Sequence, residues 1–421
     1  MRGPGSGGGP LRPVRGRGVA GLATAIAIAV AAVAGCSGGG ATPVPSVTVA
    51  AATPPPSHVS APTSTGTATG TATAPAAPTA TPAGAGLFTP AGSMDAARVN
   101  ATLLRDGRVL MVGGHDDSGD ALGSAQLFDP RSGAYSGAAG TLASARFDPA
   151  VVELQDGHVL VVGGEDGTQA ALASAELFDP NAGTFKVTGS LNTARSGATA
   201  FRLPNGNVLV IGGRDASGEA LASAEIFDPK SGQFSSTGSM TAARDALGAV
   251  QLQDGRVLVA GGCCNVADPY ASAELYDPST GVFTATGSMG VGRMFPALAV
   301  LADGRVLVAG GNSSAVYEKP LASVEIFDPK TGTFTATGSM TTPRDGLDAT
   351  RLLDGRVLIS GGATDASAEL FAPGPGTFTL TGKMTTFRAG QSTATLLQDG
   401  RVFIAGGGAG QLALSAEIYQ P

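Results

Sequence analysis

From residue 86 to the end, the chain repeats one order of apolar runs and turn residues seven times. Each copy opens with a largely apolar run, such as Ala349-Thr350-Arg351-Leu352-Leu353, that stops at an Asp-Gly pair. An almost wholly apolar run follows, for example Arg305-Val306-Leu307-Val308-Ala309. A third reads Ala-Glu-Leu-Phe and ends in several copies at Asp-Pro-x-Ser/Thr-Gly. The fourth carries one aromatic, at Phe88, Tyr135, Phe185, Phe234, Phe283, Phe334 and Phe378. Short runs bounded by Gly, Pro and Asp predict β-strands, here strands A to D of one unit. Strand B, apolar throughout, is expected to be covered on both faces.

The Asp-Gly pair, once Asn-Gly, falls at Asp106, Asp156, Asn205, Asp254, Asp303, Asp354 and Asp399. A period of about 50 residues points to propellers or solenoids. Asp-Gly between two strands predicts a type I′ hairpin turn, with positive φ at both central residues. The repeat region opens with a lone strand D around Phe88 and closes with a strand C, Ser415 to Tyr419. The last unit is complete only if it borrows the first strand. That closes a ring and leaves no exposed ends. The expected fold is all-β: a seven-bladed β-propeller of four-stranded blades spanning residues 86–421.

The run of residues Arg…Asp-Gly-Arg-Val-Leu-Val-x-Gly-Gly…Ala-Glu-Leu-Phe-Asp-Pro…Gly-x-Phe…Gly-Ser-Met resembles the kelch repeat. It is similar to the secreted bacterial type and to the propeller of galactose oxidase. The chain departs from that pattern on strand D, where Phe or Tyr stands in place of the usual Trp. The resemblance implies that strand A lines a central channel. It also implies that the D-to-A and B-to-C connections share one face.

On that face the copies differ, which is where a rigid scaffold carries function. The candidate ligand-binding residues are Phe147, Asp148, Asp245, Met294, Phe295, Asp345 and Asp348. The B-to-C loops add His115, Glu165, Arg214 and Tyr270. Acids mixed with Phe and Met suit a sugar, a peptide or a cationic ligand.

Seven arginines recur at one position: Arg98, Arg146, Arg195, Arg244, Arg293, Arg344 and Arg388. A ring that binds an anion is one reading. The expected one is a structural pairing with strand C acids such as Glu176, Glu225 and Glu274, the first copy having Gln126. The Gly-Gly pairs that begin at Gly113, Gly163 and their equivalents precede no Lys-Ser/Thr and no helix, so they are not phosphate loops. They are expected to allow close backbone approach.

Ahead of the repeats, Arg2, Arg12, Arg15 and Arg17 precede an uncharged apolar run from Gly18 to Ala34. This is the layout of an export signal; a short anchor that stays attached is the alternative. The run ends at Val33-Ala34-Gly35-Cys36, which resembles a bacterial lipobox. The resemblance implies a signal peptide over 1–35, lipidation of Cys36, and anchorage to the outer face of a bacterial cell membrane. Residues 36–85, rich in Ala, Thr and Pro without aromatic or charged side chains, are expected to be a tether that cannot bury a core.

The formal net charge is −7, and every charge before Cys36 is basic, so the remainder is more acidic still. That argues against nucleic acid. There are three Cys and three His. The galactose oxidase resemblance would imply copper held by two Tyr and two His. His58 falls in the tether, His115 in a loop and His158 at a turn on the opposite face, while Tyr135 and Tyr419 occupy repeat positions. No copper set assembles, so no metal, no cofactor, no catalytic residue and no enzyme activity are expected. Cys263 and Cys264 stand side by side; a vicinal disulfide, free thiols and a metal-binding pair all remain open. The expected role is a monomeric, surface-anchored, non-catalytic module that binds an envelope protein or glycan. The alternative is a degenerate galactose-oxidase-like enzyme or a hydrolase.

Overall fold

The computed structural model describes residues 86–98, 100–116, 118–138, 140–263, 268–314, 319–390, 392–407 and 414–421. The signal segment, Cys36, the tether and Cys264 lie outside the described residues. The described residues form strands β1 to β28, and no α-helix, in seven four-stranded sheets. Blade 1 holds β2 to β5 (residues 101–137), blade 2 β6 to β9 (150–187) and blade 3 β10 to β13 (199–236). Blade 4 holds β14 to β17 (245–285), blade 5 β18 to β21 (297–336) and blade 6 β22 to β25 (347–380). Blade 7 is β26 (Ser392–Leu396), β27 (Val402–Gly406) and β28 (Ser415–Gln420), with β1 (Leu87–Ser93) as its outer strand. The first strands of successive blades touch in order, and β26 touches β2, so the ring is closed.

The closure is a ladder of distant residues: Leu87 opposite Gln420, Phe88 opposite Tyr419, Thr89 opposite Ile418. Pro90 sits in this outer strand, where a missing N–H costs no ladder bond. The Gly86 N–H donates to Thr381 Oγ1 at 3.0 Å, and that hydroxyl lies 3.0 Å from the Tyr419 hydroxyl. A Cβ on Gly86 would fall 2.2 Å from the Tyr419 oxygen, so only glycine fits.

Strand B is apolar on both faces because two neighbours cover it. In blade 2, Val159 and Val161 pack with Leu110 and Val112 of blade 1. Leu160 and Val162 pack with Val208 and Val210 of blade 3. Each such side chain contributes about 1.5–3 kcal/mol on burial. The aromatic of strand D leans on that of strand C, as Phe185 does on Phe178 with centroids 4.9 Å apart. These pairs are why the ring tolerates the loss of Trp.

The recurrent arginines tie each blade to itself and, in blades 2 to 7, to the one before. Arg146 Nη1 donates to the carbonyls of Gly163 and Ser174, and Nη2 meets Glu176 Oε1 at 3.1 Å. Glu176 Oε2 in turn accepts the Ala143 N–H. The Arg146 carbonyl accepts the N–H of Gly114, on the preceding blade, at 3.1 Å. A Cβ on Gly113 would stand 2.3 Å from that oxygen, so the first glycine of the pair is a close approach. Blade 1 lacks the strand C acid, and Asp95 supplies the charge instead, 3.0 Å from Arg98 Nη2.

The Asp-Gly hairpins are not type I′ turns. Only the glycine has positive φ, +90° at Gly107. Gly107 N–H donates to the Leu104 carbonyl, and Leu104 N–H to the Arg108 carbonyl. This is a three-residue loop with glycine at the bulge. The Asp106 carboxylate accepts the Arg108 N–H two residues on, and Asn205 does the same for Asn207. Side-chain acceptance of that kind explains why Asp and Asn interchange here.

Candidate functional site

Strand A of each blade begins just after its arginine, and the residues there surround one end of the channel. Two positions after the arginine the backbone is left-handed in six consecutive blades: Asp148, Gly197, Ala246, Phe295, Gly346 and Gly390. Three of these are glycines. Asp148 (φ +47°), Ala246 (+54°) and Phe295 (+49°) hold the same turn at the steric cost of a Cβ, roughly 1–2 kcal/mol each. Strain kept on one side of a channel mouth is where function is sought.

Blades 2 to 4 bring three carboxylates together. A Cβ on Gly197 would lie 3.5 Å from Asp245 Oδ1 and 3.8 Å from Asp148 Oδ2, so this glycine sits between the two acids. Asp148 Oδ1 accepts from Asn100 Nδ2 at 3.2 Å. Asp245 Oδ2 accepts from Arg214 Nε at 2.6 Å. Glu165 faces Phe147 across a β-bridge. Burial raises the Glu165 carboxyl; the Ser196 hydroxyl and Arg214 oppose the shift, and the Asp148 and Asp245 charges add to it. Burial also raises Asp148, with the Asn100 hydrogen bond opposing and the Asp245 charge adding.

On the other side of the mouth, Asp345 Oδ2 accepts from Asn312 Nδ2 at 2.9 Å. Burial raises this carboxyl too, against that bond and the Gly346 N–H. Asp348 follows three residues on, in β22 (Leu347–Arg351), where Ser392 Oγ donates to it at 2.5 Å. Burial pushes it up to about 7. Aromatic surface adjoins the acids. The Phe147 ring lies 5.4 Å from His115, Phe295 is 38% exposed, and the Arg244 guanidinium stacks over Tyr270.

Among the expected site residues, Met294 is turned inward, 1% exposed, and packs on Cys263 and Ala246. It presents no surface to a ligand. Cys263 is buried on β15 (Val257–Cys263), opposite Asp245; its pairing with Cys264 lies outside the described residues. Asn100, the partner of Asp148, stands at the position expected to ring the mouth, whereas nothing in the sequence marked Asn312 and Ser392, the partners of Asp345 and Asp348. Each belongs to a different blade from the acid-bearing strand or to another loop, so no local spacing marks it.

The Kelch motif matches residues 201–241, 248–290 and 293–341. These segments are kelch repeats. A solved structure described as a novel fungal alcohol oxidase with catalytic diversity among the AA5 family, in complex with copper, is similar in fold. The TM-score is 0.65 at 19% identity, over 80% of this chain and 76% of that one. No protein of curated function matches the sequence.

The likeness shows the fold, and it corrects one expectation. The reading that the chain is not an enzyme rested on finding no recognisable set of reacting groups. The same propeller architecture carries an oxidase in that protein, so the exclusion does not stand. Among the described residues no three His, Cys, Asp or Glu converge as metal ligands. The Tyr419 hydroxyl takes part in the closure, and the Tyr135 ring packs on Phe128.

Proposed function

We propose that this chain is a ligand-binding propeller displayed at a bacterial cell envelope, with the ligand seated on the channel mouth. One observation carries the reading: side chains occupy left-handed positions at Asp148, Ala246 and Phe295 where other blades use glycine, beside clustered carboxylates. Asp148, Glu165, Asp245 and Asp345 supply acceptors for hydroxyl or ammonium groups, and Phe147 and Phe295 supply apolar surface. The ligand class is an envelope protein or glycan. The anchor is the lipid on Cys36, and residues 36–85 span the distance to the propeller.

The test is binding of the purified protein to envelope extract and to a glycan panel, beside an Asp148→Ala/Phe295→Ala/Asp345→Ala variant shown to be folded. Binding lost in the variant supports the mouth. Unchanged binding moves the site elsewhere. Metabolic labelling with a fatty-acid probe, lost in Cys36→Ser, tests the anchor.

A catalytic role is the second reading, favoured by the oxidase that shares the fold. Peroxide release from primary alcohols, measured on the same preparation with and without added copper, distinguishes it.

A further inference from the structure

We propose that the seam between blades 3 and 4, at the end of the ring opposite the channel mouth, is a docking pocket for an arginine side chain of a partner polypeptide. Strand A runs from the mouth to the Asp-Gly turn, so the A-to-B and C-to-D turns lie at the far end. The site is therefore separate from the mouth and does not rest on it. An open pocket of about 490 Å³ lies at this seam. Pro204 and Asn205 line it from blade 3, and Asp254, Arg256, Asp277 and Pro278 line it from blade 4.

The ring itself shows what fits such a place. At three other seams the arginine after the Asp-Gly turn reaches the C-to-D turn of the next blade and donates to a prolyl carbonyl. Arg108 Nη2 meets the Pro180 carbonyl at 3.0 Å, Arg256 Nη2 that of Pro329 at 3.4 Å, and Arg401 Nη2 that of Pro130 at 2.8 Å. Each of these arginines also pairs with the aspartate of its own turn. Blade 3 departs from the pattern. Its turn reads Pro204-Asn205-Gly206-Asn207, the one A-to-B turn of the seven without an ionisable side chain. Asn207 is shorter than arginine and uncharged, and its N–H bonds within the turn, to Asn205 Oδ1 at 3.0 Å. Among the described residues no arginine bridges this turn to Pro278, and the pocket opens where that bridge would lie.

The lining selects a guanidinium. Arg256 is already engaged: its Nε donates to Asp254 at 2.9 Å and its Nη2 goes to blade 5. With Asp277 added, the lining carries more negative charge than positive. The Ser279 hydroxyl and N–H hold the Asp277 carboxyl below the usual carboxylate range, so it is ionised at neutral pH. A planar cation with several fixed N–H donors can bond a carbonyl and a carboxylate together, which a single ammonium does less well. The rings of Pro204 and Pro278 offer apolar surface to the methylene stem of an arginine. An entering arginine would repeat at this seam the contact that Arg108 makes between blades 1 and 2.

The test uses the full-length protein and three short glycine-rich peptides that differ only in a central arginine, lysine or citrulline, with binding read by saturation-transfer NMR. The arginine peptide should bind, and the other two should bind about tenfold more weakly or worse, having lost the charge or the fork of donors. Asn207→Arg rebuilds the turn of the other blades. Its new side chain should fill the pocket and weaken the arginine peptide by about tenfold or more. Unchanged binding in that variant overturns the inference. So does equal binding of the lysine or citrulline peptide, or no binding of the arginine peptide at millimolar concentration. Should the variant not fold, a diazirine on the arginine peptide, photolysed with the unaltered protein, decides. Cross-links at residues 204–207 or 277–279 support the pocket, and cross-links only elsewhere, the mouth included, overturn it.

Discussion

The guanidinium of Arg146 meets the carboxylate of Glu176 at 3.1 Å with both side chains sealed from solvent. Two buried charges in contact stabilise little over apolar residues of the same shape, but either one alone is costly. Glu176→Ala should therefore lower stability by about 3–5 kcal/mol. The double variant Arg146→Met/Glu176→Leu should lose less than that single change. Urea unfolding of the three proteins checks both statements.

Gly163 and Gly119 both have positive φ, +68° and +85°. A Cβ on Gly163 would meet the Arg195 carbonyl at 2.5 Å, whereas nothing lies within 4 Å at Gly119. Gly119→Ala should cost roughly 1–2 kcal/mol, the backbone strain alone. Gly163→Ala should cost clearly more, because backbone of the next blade must move. Equal costs in thermal melting would show that strain, not contact between blades, dictates glycine there.

Asp148 combines a left-handed backbone with a carboxyl raised by burial, against the Asn100 bond and with the Asp245 charge adding. Its fold therefore binds the proton more tightly than the unfolded chain does. This contribution to stability is present in acid and is lost as pH rises through the folded-state value. Asp148→Asn should flatten that part of the pH profile and melt higher at pH 8. Asp148→Gly should gain roughly a further 1–2 kcal/mol by removing the strained Cβ. Both should weaken ligand binding at the mouth, the pattern of a residue kept for function at the expense of stability.

The Tyr419 hydroxyl and Thr381 Oγ1 lie 3.0 Å apart at the ring closure, with Gly86 donating to the same threonine. Tyr419→Phe should cost about 1 kcal/mol, one hydrogen bond. Gly86→Ala should cost more, since the Tyr419 ring occupies the space of the new methyl. Proteolysis at β1 should become faster in Gly86→Ala than in Tyr419→Phe.

Strand order, blade number and ring closure were legible because each rests on local pattern repeated seven times. Asp-Gly, Gly-Gly and the strand C and D aromatics recur at fixed offsets, and the leftover strand at Phe88 required a partner at Tyr419. The type I′ expectation failed because the dipeptide rule assumes a two-residue loop. The Asp106 side chain instead supports a three-residue loop by accepting a backbone N–H. Met294 was expected at the mouth from its position after Arg293, but a hydrophobic side chain beside Cys263 and Ala246 turns inward.

By itself the sequence determined what repeats: four strands per unit, apolar second strands, buried arginines facing strand C acids, and a closing strand from the N-terminal side. Those features follow from nearest neighbours along the chain and from burial. Only the tertiary structure decided which unlike residues meet. Gly197 between Asp148 and Asp245, Asn312 on Asp345, and Ser392 on Asp348 are contacts between blades, set by the geometry of the ring. The protonation of Asp148, Asp345 and Asp348 depends on the same contacts, because burial and neighbouring charge are properties of the folded assembly and not of the residues that bear them.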